Sequence, residues 1–204
     1  MSDTAAIRAY LDAHPEHVDV ASTSSGHTSL HEAVAGTKCL AAAKLLLSKG
    51  ADPCAMDPRD GGMAPLHQAV ANSAEPIALE LLHAGADVRG KTAAEGLTPL
   101  HLAARGGHDA LARLLIARGG EVSARANDGR TPLHLAAKHG RENTAKILLD
   151  NGADAKAKDK KFLTADYEAA KAKHPRVVEL ILGPKDERKT PAPKKKQRSE
   201  RKNR

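Results

Sequence analysis

Eleven histidines and two cysteines stand in a chain of 204 residues, and four of the histidines, His31, His67, His101 and His134, recur at nearly even spacing. Imidazole can ligate a metal, move a proton near neutral pH or activate a nucleophile. A thiolate can attack by itself or join a zinc site. The surroundings decide which chemistry is in play. The four histidines sit in copies of one motif: "HTSLHEAV" (27–34), "MAPLHQAV" (63–70), "LTPLHLAA" (97–104) and "RTPLHLAA" (130–137). A fifth copy, "LTADYEAA" (163–170), puts Tyr167 at the histidine position, so the spacing from copy to copy runs 36, 34, 33 and 33.

A second landmark follows four of the copies in fixed phase: "KGAD" (49–52), "AGAD" (84–87), "RGGE" (118–121) and "NGAD" (151–154). Each unit between landmarks reads as two short helices. Thr131 is placed as an N-cap and Pro132 at the first helical position, where its missing N–H has no partner to lose. Leu133, Ala136 and Ala137 form an apolar face, and His134 sits where its ring can reach back to the cap. Gly140 breaks the chain. A second helix carries Ala145, Ile147, Leu148 and Leu149 inward until Gly152 ends it. A polar stretch then leads to the next unit.

With these motifs the chain resembles the ankyrin repeat family over residues 20–183, most strongly in the units beginning near 94 and 127. Ser29 replaces Pro and Ala64 replaces Thr in the two earlier units, and Asp166 and Tyr167 replace Leu and His in the last, as suits a capping unit whose outer face meets water. The resemblance implies an all-α solenoid of helix-turn-helix repeats whose linkers project as β-hairpin fingers. It divides the chain into an N-terminal helix with a degenerate leading half-repeat (1–26), the repeats with their capping unit (27–184) and a tail (185–204).

The repeat answers most of the chemistry. Equivalent residues of stacked helices lie roughly 8–10 Å apart, while zinc needs all its ligands within about 2 Å, so the four histidines cannot share an ion. Each is expected to tie a turn to the helix behind it. Cys39 falls near the start of a second helix and Cys54 in a finger beside Pro53, well separated and without a paired-cysteine spacing. Space-filling explains them better than reactivity. No P-loop, nucleophile-elbow, HExxH or dinucleotide-binding glycine signature is present. No enzyme activity, cofactor or metal is expected.

Composition supports this reading. The chain is 41% hydrophobic, yet Phe162, Tyr10 and Tyr167 are its only aromatic residues. Small aliphatic side chains suit thin, closely stacked helices. Charge divides at Pro184. Residues 185–204 hold ten basic and three acidic residues, which is the whole net charge of +7, while the other 22 basic and 22 acidic residues cancel. Without apolar periodicity the tail is expected to be disordered. Charges scattered from Asp3 to Asp19 do not fit a signal peptide, and no apolar run approaches membrane length. The expected location is intracellular: nucleus or cytoplasm in a eukaryote, cytoplasm in a prokaryote.

Function must then lie where packing does not dictate the residue. By the motif's register those positions are Met63 and Ala71, then Glu95, Leu97 and Arg105, then Asn127, Asp128, Arg130, Lys138 and His139. Together they form the strip to which the resemblance assigns protein partners, on the concave face of a monomer. The fingers lengthen toward the N-terminus, the stretch from Gly50 to His67 being two positions longer than that from Gly119 to His134. The longest carries Met56 and Met63, soft side chains suited to adaptable contacts. In the tail, Lys194, Lys195, Lys196 and Arg198 after Pro193 look like a nuclear import signal of the kind importin reads. The alternative is a nonspecific tether to nucleic acid or the ribosome.

Overall fold

The computed structural model describes residues 9, 12–14, 18, 28–35 and 39–183. Both the leading half-repeat, 1–26, and the basic tail lie largely or wholly outside them. Between residues 29 and 182 ten α-helices follow in pairs: α1 (Ser29–Ala35) with α2 (Leu40–Ser48), α3 (Pro65–Ala71) with α4 (Glu75–His83), and α5 (Pro99–Gly106) with α6 (Asp109–Ala117). The last two pairs are α7 (Pro132–Lys138) with α8 (Glu142–Asp150), and α9 (Ala165–Lys171) with α10 (Pro175–Leu182). First helices pack against first helices and second against second, so the stack runs the length of the described chain.

Helices of seven to nine residues are too short to stand alone. Burial between neighbours holds them. The motif leucines Leu30, Leu66, Leu100 and Leu133 are all 1% exposed or less. Behind them, Ala69, Ala103, Ala136 and Ala169 form a column with no exposed surface, which larger side chains would force apart. The turn between α7 and α8 shows the same closeness. Gly140 has φ of 65°, and a Cβ there would meet the His174 ring of the next unit at 2.6 Å.

The histidines join the units. Thr98 and Thr131 take the extended conformation of an N-cap. Their backbone N–H groups donate to Nδ1 of His101 and His134 at 3.2 Å. The Thr98 and Thr131 hydroxyls lie 2.8 and 2.9 Å from the same nitrogens. An Nδ1 that accepts from an amide carries no proton, so the proton sits on Nε2. That Nε2–H donates forward: His31 to the Met63 carbonyl at 3.2 Å, His101 to Arg130 at 3.1 Å and His134 to Leu163 at 3.1 Å. His67 reaches both Gly90 (3.0 Å) and Leu97 (3.1 Å). Each ring thus fastens the cap of one unit to the finger of the next. The expected bond to the cap is present and is half of the arrangement. Tyr167, in the last described unit, is half exposed.

The fingers differ from the expected β-hairpins. Among the described residues the only β-bridge joins Asp57 and Met63. Elsewhere each finger is closed by a backbone bond of 2.9 Å, from Thr92 to Leu97, Ala126 to Arg130 and Asp159 to Leu163, around a tight turn bonded back to Thr92, Ala126 and Asp159. Loops closed over so few residues leave a ladder no room to form. The tips instead bond sideways, Ala94 N–H to the Gly61 carbonyl, Asn127 to Glu95 and Lys160 to Asp128, each at 2.9 Å. The extra residues of the early fingers sit at these tips. Gly129 is needed there, since a Cβ would meet the Lys160 nitrogen at 2.8 Å, whereas Phe162 holds the matching left-handed position in the last unit with its side chain 79% exposed.

Two predictions test these joints. Removing the Thr131 hydroxyl, which bonds the His134 ring, with Thr131→Val should lower stability by about 1 kcal/mol, read as a lower urea midpoint at constant slope. Acid should act through the rings. Burial, opposed by the Arg130 carbonyl, pushes His101 down to about 4, and burial also lowers His67. The unfolded chain therefore binds more protons below pH 6.5. The His101 contribution should be full above that pH and fall as the pH drops toward 4, by about 1.4 kcal/mol per unit, with His67 acting in the same direction. Urea titrations between pH 7.5 and 4.5 should show this slope, and His101→Asn should make it shallower.

Candidate interaction groove

Between the first helices and the fingers, units three and four enclose a depression of about 440 Å³. Leu97 and Leu135, each 6% exposed, form its floor. Arg105, at the end of α5, and Lys138 and His139, at the end of α7, make one wall; Ala94, Glu95, Asn127, Asp128 and Arg130 make the finger wall. Eight of the ten positions read from the register thus surround one cavity. Met63 and Ala71 do not line it. Met63 is half-buried and its carbonyl is used by His31, and Ala71 lies exposed at the end of α3.

The eight differ in what they are free to do. Leu97 does not project, being packed from below. The Asn127 amide donates to the Ala94 carbonyl at 3.2 Å, and Asp128 accepts from the Arg130 N–H at 3.0 Å, so both also hold the fingers. Arg130 is the largest departure. Its side chain, 22% exposed, is gripped by Glu168 (3.3 Å), Asp128 (3.5 Å) and Asp159 (3.9 Å), two of them buried. It therefore braces unit four against unit five. Arg105 makes one loose contact of 3.9 Å with exposed Glu95, and Lys138 has no carboxylate within ion-pair distance among the described residues. The His139 pKa is lowered by partial burial and then by Lys138, Arg141, Arg105 and His174, so the ring is neutral at pH 7.

Leu135 was not among the residues picked out by register, although it follows the motif histidine directly, as Gln68 and Leu102 do. Its outward edge shows only once the fingers are in place. The soft side chains of the longest finger lie elsewhere: Met56, 48% exposed, lines a separate cleft with Pro53, Cys54 and Lys91. Cys39 and Cys54 are exposed free thiols. Among the described residues no three His, Cys, Asp or Glu side chains converge as metal ligands, and no helix is long and apolar enough to cross a membrane.

A family model described as ankyrin repeats, three copies, matches residues 2–92 and 66–159. The chain is an ankyrin repeat protein. Its match covers well over half the length, and ankyrin repeats are generally protein–protein interaction modules. A search of curated proteins finds no significant match. The ankyrin unit explains the paired helices, the histidine joints and the fingers, leaving Arg105, Lys138 and His139 as cavity side chains outside the scaffold.

The Arg130 clamp gives a sharp contrast between neighbours in the groove. Lys138→Glu should leave the urea midpoint unchanged. Arg130→Glu adds a carboxylate to three others, two of them buried, and should destabilise by about 2–4 kcal/mol. Equal midpoints would show that Arg130 is not a brace.

Proposed function

We propose that this ankyrin repeat protein is a non-enzymatic scaffold or adaptor that acts as a monomer and holds a protein partner in the groove of units three and four. One observation carries the reading: a cavity assembled from two neighbouring units is lined by Arg105, Lys138 and His139, which neither the core nor a close ion pair requires. Charged and polar groups without a close ion pair at a concave, apolar-floored site suit recognition. The tail supports a second element. In a cell with a nucleus, Lys194, Lys195, Lys196 and Arg198 act as an import signal for importin; without one, the same charges tether the protein to nucleic acid or the ribosome. Either way the body works inside the cell.

Partner capture tests the groove. Proteins retained by the full chain should be lost from Lys138→Glu with His139→Ala and kept by Met56→Ala. An identical set from all three would contradict the groove. For the tail, changing its four named residues to Ala should abolish nuclear accumulation. Binding of the unaltered chain to duplex DNA should weaken with salt at a log–log slope no steeper than about −6.

A further inference from the structure

We propose that the segment held in this groove is an acidic peptide, whose carboxylates meet a column of cations formed by Arg105, Lys138 and Lys171 while apolar side chains enter the pocket over Leu97 and Leu135. The inference rests on the groove being the binding face and adds the chemistry of the partner.

The column follows from the repeat. Arg105, Lys138 and Lys171 are one repeat period apart, each four positions after the motif's histidine or tyrosine, near the ends of α5, α7 and α9. These helices pack side by side, so the three cations recur at roughly 8–10 Å. Lys138 and Lys171 are exposed, and neither has a carboxylate within ion-pair distance among the described residues. The equivalent position in unit two is Ala71, so the positive charge belongs to one half of the groove. His139 senses the same field, since Lys138, Arg141 and Arg105 all disfavour its proton.

Overall neutrality of the body therefore hides a local positive strip. A polyanion with a charge at every step is the poorer fit. Glu95 and Asp128 stand on the facing wall, and the floor between is apolar. A ligand with carboxylates toward the cations and aliphatic groups toward Leu97 and Leu135 satisfies the cation wall and the floor. In a polyproline II peptide three residues make one turn and rise about 9 Å, so acidic residues at every third position fall on one side at the cation spacing.

The test uses the full chain with Lys194, Lys195, Lys196 and Arg198 changed to Ala, which lowers the tail's net charge from +7 to +3 and weakens its capture of acidic ligands. Immobilised, it selects from a random dodecapeptide library. The expected sequences are enriched several-fold in Asp and Glu, preferentially three apart, with apolar residues among them. Binding of a selected peptide should fall at least tenfold with Lys138→Glu and stay unchanged with Met56→Ala, with the helical circular dichroism spectrum unchanged in both. Neutral or basic peptides that still depend on Lys138 would overturn the acidic reading and leave the groove standing. Selected peptides of any charge that ignore Lys138→Glu would overturn both. An oligonucleotide of equal charge that displaces the peptide and binds more tightly, with the same dependence on Lys138, would replace the peptide with a nucleic acid.

Discussion

One buried imidazole in each of the first four units, its Nδ1 accepting and its Nε2–H donating, governs this molecule. Its Nδ1 takes the amide of its own helix cap, and its Nε2–H goes to a carbonyl of the following finger. A helix of seven residues contributes little stability by itself, so the stack depends on such joints and on the alanine columns they hold in register. The histidine looks catalytic in the sequence because it is so regular. Its regularity comes from a bond that must be made once per unit.

Fixing the scaffold this way separates the residues that hold the fold from those that are left over. Proximity to the groove does not by itself put a residue in the second class. Arg130 lines the cavity yet clamps Glu168 and Asp159 of the next unit. Asn127 and Asp128 have finger bonds of their own. Arg105, Lys138 and Lys171 remain, at a position where the repeat demands only a residue that tolerates water. Repetition converts one such choice into a column, and a column of like charge into a surface with a preference.

Much of this was legible in the sequence because ankyrin units carry their geometry in local signals. Thr-Pro marks the helix start, Gly140 and Gly152 mark the ends, and the constant period places His101 over His134. Eight of the ten surface positions read from that register do surround one cavity. What the sequence left unread depends on contacts between units. The forward bond of each histidine ends on a residue 23 to 32 positions away. Arg130 and Glu168 belong to different units and meet only when those units stack. Leu97 falls in the register of the surface strip but is covered from beneath, and the fingers expected as hairpins are too short to pair as strands. Net charge misled in a similar way, because cancellation over everything before the tail conceals a positive strip within it.

The central claim is that the partner lies between the finger tips and the ends of the first helices in units three and four. Hydrogen–deuterium exchange of the full chain, alone and with its captured partner, tests it most directly. The account predicts added protection in 94–105 and 127–139, with the second helices 109–117 and 142–150 unchanged. Protection confined to those second helices, or to the finger at 51–63, would contradict it.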